Sequence, residues 1–193
     1  MNFVAHQFLS FHKTEIQLGN LYGEIVRGKD YLKFDTEIQK GILLHREIDT
    51  FTDAHDIVKN STKIFHPKYG KYAPVIVDVL YDHLLIKNWN YYTDQSYTDF
   101  VTECYNLFRL KLDTFPKNLK YIIQHLLNYD WFHNYKSLNG IQQTLKGISQ
   151  RSKFQNNIYQ ATYEFVENEK ELNSDFNEFF PLLINHCQKF IKS

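Results

Sequence analysis

The sequence predicts an all-α protein that forms a single compact domain of seven to nine helices. Its 193 residues suit one domain and are too few for two complete hydrophobic cores. Hydrophobic residues make up 43% and aromatic residues 17% of the chain, whereas there are only 7 Gly and 4 Pro. Few helix breakers and abundant bulky apolar side chains favour long helices that pack against one another.

The first three predicted helices follow from the positions of these breakers. Two short segments, Asn2–Phe11 and Gly19–Gly28, come first. The third segment, Asp35–Ala54, has apolar residues at helical spacing. It begins at Asp35 or Thr36, and either residue type is suited to an N-cap position.

The later helices follow the same reasoning. Asp56–Phe65 ends just before His66-Pro67. Ala73–Asn90 has Pro74 in its first turn, where proline is tolerated. Its run from Val75 to Leu80 would also suit a buried strand, but the apolar pattern continues to Ile86 and favours a helix. The remaining helices are expected at 97–112, 117–130, 139–152 and 155–191, the last one bent near Pro181.

Charge and cysteine content exclude several classes of protein. Lys+Arg and Asp+Glu both number 22, and this zero net charge excludes the electrostatics of a nucleic-acid-coating protein. Cys104 and Cys187 form no disulfide framework, which is typical of a reducing compartment. The N-terminal residues lack the basic and apolar regions of a signal peptide, so none is expected, and no stretch approaches the roughly 18 apolar residues of a membrane span. We therefore expect a cytoplasmic protein without nucleic-acid or membrane partners.

Two predicted helices carry acidic and imidazole side chains among apolar residues, namely His45, Asp49 and Asp53 on the third segment and Asp78, Asp82 and His83 on the fifth. Residues four apart lie on one stripe of a helix. Burying an unpaired carboxylate is unfavourable by several kcal/mol, so these groups require cations, hydrogen bonds or a metal ion.

Two further pairs have the same spacing, because Asn2 precedes His6 by four residues and Asn20 precedes Glu24 by four. Any one such pair is more often a hydrogen-bonded or surface pair than a metal site. Four of them within the first 90 residues predict a shared polar centre, which is how helical bundles hold divalent metals. His and carboxylate ligands suit Mn²⁺, Fe²⁺, Zn²⁺ or Mg²⁺.

Arginine is rare in this chain, with 4 Arg against 18 Lys. Arg27 and Arg46 nevertheless lie within or beside the polar stripes, and Arg151 lies in a late basic segment. Arginine is favoured where phosphate or carboxylate groups are bound in a bidentate manner. An ion pair with Asp or Glu of the same chain would explain these arginines equally well.

Several motifs together resemble those of the bacterial acyl carrier protein phosphodiesterases. They are Asn2-Phe3-Val4-Ala5-His6, Gly19-Asn20, Val26-Arg27-Gly28, the stretch from Gly41 to Asp53, Asp78-Val79-Leu80-Tyr81-Asp82-His83, and the stretch from Gly140 to Arg151. The resemblance covers residues 1 to about 154, with the motifs in order, and leaves 155–191 as C-terminal helices.

This resemblance implies a hydrolase that removes the 4′-phosphopantetheine arm from holo-acyl carrier protein and leaves a free serine. It also implies a fold like that of the HD-type metal phosphohydrolases and the use of a divalent cation, typically Mn²⁺, with Mg²⁺ or Fe²⁺ as alternatives. Glu24 stands where the family usually has Asp, and its extra methylene could shift a metal ion or the attacking water.

The residues can then be assigned roles as expectations. The expected metal ligands are His6, His45, Asp49, Asp78, Asp82 and His83. Glu24 or Asp53 would act as general base, and Arg27 and Arg46 would hold phosphate oxygens. Substrate binding is expected at Asn20, Arg151 and a basic, aromatic segment that contains Lys63, Lys68 and Lys71 and would dock the acidic carrier protein. That segment could equally be a solvated loop.

Two alternatives remain open at this point. An HD-like phosphohydrolase acting on a nucleotide or another small phosphoester would share the metal site. A helical protein that binds acyl carrier protein without catalysis is permitted by Glu24. The oligomeric state is not predicted.

Overall fold

A computed structural model describes residues 1–192, and this range contains ten α-helical segments and no β-strand. The helices are α1 (Phe3–Phe8), α2 (Thr14–Gly23), α3 (Thr36–Ala54), α4 (Asp56–Tyr69), α5 (Ala73–Lys87), α6 (Tyr97–Lys111), α7 (Lys117–Asn128), α8 (Trp131–Asn134), α9 (Leu138–Arg151) and α10 (Ala161–Lys192). The segment α8 is a single turn, and the other nine agree with the predicted number. The all-α prediction is confirmed, and Val75–Leu80 is helical within α5.

No helix in residues 1–192 combines the length and the apolar character that are needed to cross a lipid bilayer.

The predicted bounds of three helices need correction. The second helix is α2 and ends at Gly23, so that Glu24 is its C-cap instead of an interior residue. The fourth helix continues through Pro67 to Tyr69. A contact with α10 stabilises its last turn, because the Tyr69 hydroxyl donates a hydrogen bond to Glu164 at 2.6 Å.

The third correction concerns α10, which begins at Ala161 and is interrupted at Asn168 instead of Pro181. Asn168 has non-helical backbone angles (φ −115°, ψ 15°). Its side-chain amide donates to the Glu164 carbonyl at 2.8 Å, so a side chain supplies a hydrogen bond to the helix at the kink.

Helices α2 and α3 pack with their backbones in contact, because glycines face each other where they cross. A Cβ atom on Gly19 would lie 2.3 Å from the Ile38 carbonyl oxygen and 2.7 Å from Gly41 Cα. A Cβ atom on Gly41 would lie 2.4 Å from the Ile16 carbonyl oxygen. This close approach brings Asn20 of α2 beside His45 of α3.

The short helix α1 is held in place by α5. Six residues are too few for a stable isolated helix. The buried carboxylate of Asp82 accepts the backbone N–H groups of Asn2 at 3.2 Å, Val4 at 2.8 Å and Ala5 at 3.2 Å. These bonds satisfy the otherwise unpaired donors at the start of α1 and fix the direction in which His6 points.

Candidate metal centre

Three side chains from α1 and α3 converge at one point of the structure. One ligand atom from each of His6, His45 and Asp49 lies within 4.8 Å of the other two. His6 Nε2 is 3.2 Å from Asp49 Oδ1, and His45 Nε2 is 3.4 Å from Asp49 Oδ2. Both imidazoles are buried whereas the Asp49 side chain is about half exposed (46%), so this group of ligands is open to a solute on one side.

The opposite sides of both imidazole rings contact Asn20. Asn20 Oδ1 is 2.8 Å from His6 Nδ1 and 3.0 Å from His45 Nδ1. The two ring centroids are 4.3 Å apart. Gly23 leaves the room that this arrangement needs, since a Cβ atom there would lie 2.3 Å from His45 Cγ.

The charges of the three groups depend on one another. Burial opposes protonation of His6, but the hydrogen bond and charge of Asp49 outweigh burial and raise the pKa of His6. Burial and then the positive charge of His6 lower the pKa of His45 to about 3. Burial alone would raise the pKa of Asp49, but the two histidines hold it down at about 2. Without a metal ion, the negative charge of Asp49 therefore favours protonation of His6, whose Nε2 atom faces Asp49 Oδ1.

This set of donors fits a divalent cation. Two imidazole nitrogens and a carboxylate face each other, and their lone pairs repel unless a proton or a cation lies among them. Mixed nitrogen and oxygen donors suit first-row divalent metals. We conclude that His6, His45 and Asp49 are able to hold such an ion.

Two adjoining pockets open onto the cluster. The first has a volume of about 410 Å³, and its lining includes His45, Asp49, Glu24, Arg27 and Arg46. The second has a volume of about 320 Å³, and its lining includes all three cluster residues with Glu24, Asp53 and Asp78. Both residues expected as general base thus lie at the site. Glu24 is half-buried, and burial raises its pKa, whereas Asp53 is exposed.

The two arginines lie at the first pocket with part of each guanidinium already bonded. Arg27 donates to the backbone carbonyls of Gly23 at 3.1 Å and Glu24 at 2.7 Å. Arg46 donates to the Gly28 carbonyl at 2.9 Å. A guanidinium carries five N–H donors, so these contacts leave donors for an anion in the pocket.

The three other expected metal ligands have different surroundings. Asp78 lines the second pocket and accepts a hydrogen bond from the amino group of Met1 at 2.7 Å. Asp82 does not reach the cluster, because its oxygens accept the backbone N–H groups of α1. His83 contacts the Tyr135 carbonyl at 2.7 Å through Nδ1 and lines a separate pocket of about 840 Å³.

The expected substrate-binding cations lie outside the lining of both site pockets. Lys63 donates to Asn60 at 2.9 Å, and Lys68 forms an ion pair with Glu164. The Lys71 ammonium lies 3.7 Å from the ring centroid of Phe154. Arg151 is exposed at the end of α9.

Reasoning from the sequence missed the glycines that shape the site. Gly19 and Gly23 are four residues apart on α2, and Gly41 and His45 are four apart on α3. The two glycines one turn apart on α2, together with Gly41 one turn before His45 on α3, were the available signal for a close crossing.

Comparison with known proteins agrees with the motifs and extends beyond them. A family model for acyl carrier protein phosphodiesterase matches residues 1–183. Similar proteins named acyl carrier protein phosphodiesterase occur in Yersinia enterocolitica (30% identity over 191 residues, 97% of this chain and 98% of the relative) and Yersinia pestis (28% over 189 residues, 97% and 98%). Another is from Escherichia coli strain SMS-3-5 (28% over 191 residues, 98% of each chain). No solved structure matches the chain. The extent of these matches shows that the chain belongs to the acyl carrier protein phosphodiesterase family.

Proposed function

We propose that this chain hydrolyses holo-acyl carrier protein to apo-acyl carrier protein and 4′-phosphopantetheine with the aid of a divalent metal ion. Mn²⁺ is the first candidate, and Mg²⁺ and Fe²⁺ are alternatives. The observation that carries the proposal is the cluster of His6, His45 and Asp49, which opens to pockets lined by a carboxylate and two arginines. The family match over residues 1–183 supports the same activity.

The cluster residues would hold the ion through His6 Nε2, His45 Nε2 and the Asp49 carboxylate. When bound, such an ion lowers the pKa of water and neutralises charge on phosphoryl oxygens. The HD-like fold implied by the sequence motifs remains a prediction.

Glu24 is our proposed general base, and Asp53 is the second candidate. Glu24 lines both pockets, and its raised pKa brings it closer to the neutral range in which a base is most effective. It would accept a proton from the attacking water as the water oxygen bonds to phosphorus. The bond from phosphorus to the carrier's serine oxygen then breaks, and that oxygen takes up a proton.

Arg27 and Arg46 are proposed to bind the non-bridging phosphate oxygens. Both line the first pocket together with two cluster residues and Glu24. Their bonds to backbone carbonyls restrict the guanidinium groups before substrate arrives, so less side-chain entropy is lost on binding.

The carrier protein itself is proposed to dock on the exposed face that bears Lys63, Lys68 and Lys71, because carrier proteins are acidic. We place the reaction in the cytoplasm. Cys104 and Cys187 are both buried and free, in keeping with a reducing compartment.

Mass spectrometry of holo-acyl carrier protein after incubation with the enzyme tests this proposal. We expect the carrier to lose its 4′-phosphopantetheine arm with wild type and Mn²⁺, and to stay intact with chelator or with Asp49→Asn. An intact carrier beside a hydrolysed nucleotide or small phosphodiester would favour the phosphohydrolase alternative. A carrier that binds and is never cleaved would favour the non-catalytic one.

A further inference from the structure

A single buried carboxamide lies between the two histidines of the cluster. Asn20 is 1% exposed, and its Oδ1 atom is within hydrogen-bond distance of Nδ1 of both His6 and His45. A carbonyl oxygen has two lone pairs, so it is able to accept one hydrogen from each ring.

The orientation of this carboxamide follows from its other contacts. Asn20 Nδ2 donates to the His6 backbone carbonyl at 2.9 Å and to Ser10 Oγ at 3.2 Å. A backbone carbonyl only accepts, so the nitrogen of the amide must lie on that side. Ser10 Oγ in turn donates to the same carbonyl at 2.9 Å and is left to accept from Asn20. The oxygen of Asn20 therefore faces the rings.

An acceptor at both Nδ1 positions determines where the ring hydrogens are. Each neutral imidazole carries one hydrogen, which either Asn20 at Nδ1 or Asp49 at Nε2 could accept. Asn20 Oδ1 is buried and has only the two rings as donors, whereas the Asp49 side chain is about half exposed and can bond to water, so the hydrogen lies on Nδ1 in both rings. The lone pair of each ring is then on Nε2, the atom that faces Asp49 at 3.2 Å in His6 and 3.4 Å in His45. One side chain thus prepares two ligand atoms at once.

We propose that Asn20 is a positioning residue that sets the tautomer of both His6 and His45 and so prepares their Nε2 atoms to bind a divalent cation. This replaces the expectation that Asn20 binds substrate, because both polar atoms of its side chain are already engaged inside the protein. The inference rests on the proposed metal site but needs no substrate for its test.

The first test is nitrogen-15 NMR of the histidine rings in the metal-free wild-type protein at alkaline pH, where both rings are neutral. We expect a hydrogen on Nδ1 in both His6 and His45. A hydrogen on Nε2 of either ring would overturn the proposal, without recourse to any variant.

Mn²⁺ titration by calorimetry supplies the second test. Substituting a residue that hydrogen-bonds a metal-binding histidine typically weakens metal binding by about 10–100-fold. We expect a loss of Mn²⁺ affinity of this size in Asn20→Ala. Asn20→Asp keeps an oxygen acceptor for both rings and should retain the Nδ1 hydrogens, although it loses the donor to the His6 carbonyl. Ser10→Ala removes a neighbouring contact of Asn20 and leaves its oxygen in place, so it is the matched control.

Unchanged Mn²⁺ affinity and unchanged tautomers in Asn20→Ala would contradict the proposal, as would loss of the Nδ1 hydrogens in Asn20→Asp. Both readouts are obtained without carrier protein. A protein that fails to hydrolyse holo-carrier protein would therefore disprove the proposed function and leave this result standing.

Discussion

Asp49 is the residue on which the geometry of the cluster depends most. One of its oxygens faces His6 and the other faces His45, and both distances are below 3.5 Å. In the metal-free protein its charge favours a proton on His6 and opposes the effect of burial. The same charge would favour a metal ion in the proton's place, so proton and metal compete.

This competition predicts opposite pH dependences with and without metal. In the metal-free protein, the stability that arises from the raised pKa of His6 is complete below the ordinary value of about 6.5 and is lost as pH rises through the folded-state pKa. Metal binding requires the deprotonated ring and strengthens over the same range. We therefore expect the increase in melting temperature caused by Mn²⁺ to grow from mildly acidic to mildly alkaline pH.

Differential scanning calorimetry over that range measures the effect. Asp49→Asn removes both the charge that raises the His6 pKa and one metal ligand, so it should flatten the dependence. An Mn²⁺ effect in wild type that shrinks as pH rises would contradict the assignment of His6 as a ligand.

Glu24 is the residue at which this chain departs from its family's usual Asp. Glu24→Gln keeps the size of the side chain and removes its ability to accept a proton, so we expect turnover of holo-carrier protein to fall by about 10²–10⁴-fold. Glu24→Asp should retain activity. The melting temperature should change little in either variant. Undiminished turnover in Glu24→Gln would make Asp53 the better candidate base.

At the level of helices, the site depends on the crossing of α2 and α3. A methyl group on Gly41 would collide with the backbone of α2, and backbone atoms cannot move aside as a flexible side chain can. We expect Gly41→Ala to lower the free energy of unfolding by roughly 1–3 kcal/mol or more. Chemical denaturation measures this change.

Gly147→Ala is the matched control for that variant. Gly147 lies inside α9, and the nearest contact of an added Cβ atom would be the end of the Arg151 side chain at 3.6 Å. Alanine is favoured over glycine inside a helix by about 1 kcal/mol, so this variant should be slightly more stable than wild type. Equal effects of the two substitutions would mean that α2 and α3 do not pack as described.

The basic face on α4 and the turn that follows it predicts how the carrier protein associates. Lys68 is paired with Glu164, so reversing its charge would also disturb α4 against α10. Lys63→Glu with Lys71→Glu changes the face and leaves that pair in place. We expect this double variant to slow hydrolysis of holo-carrier protein at low salt and to leave a small phosphodiester unaffected, because such charges act mainly on association.

The same reversal at Lys117 and Lys146, which are exposed on α7 and α9, is the control. It alters the net charge equally. A rate loss of similar size in both double variants would show a general effect of charge instead of docking on the proposed face.

Across the whole molecule, the sequence predicted helices well and long-range contacts poorly. Breakers and apolar spacing are local, and they placed α3 and α5 within a few residues of their observed ends. The role of Asp82 was not visible locally, because the N–H groups that it accepts lie 77 to 80 residues away. The predicted bounds of α2 were shifted for the same reason. Gly19 on its own indicates a helix breaker, whereas it lies inside α2 because it packs against Gly41 of α3.

The contacts within the His6, His45 and Asp49 cluster were visible from the sequence only in part, for similar reasons. His45 and Asp49 share a helix, so their spacing of four predicted their contact. His6 joins them through long-range contacts, chief among them the bonds from the start of α1 to Asp82. His83 follows Asp82 directly in the sequence, but its ring contacts the Tyr135 carbonyl at a separate pocket.

Mn²⁺ binding measured by calorimetry in wild type, His45→Ala and His12→Asn tests the central claim most directly. His12 is an exposed histidine outside the cluster, and its positive φ of 56° is one that Asn tolerates, so His12→Asn should bind like wild type. The cluster predicts that wild type binds Mn²⁺ and that His45→Ala binds it far more weakly. Equal affinity in wild type and His45→Ala would contradict a metal centre built on His6, His45 and Asp49.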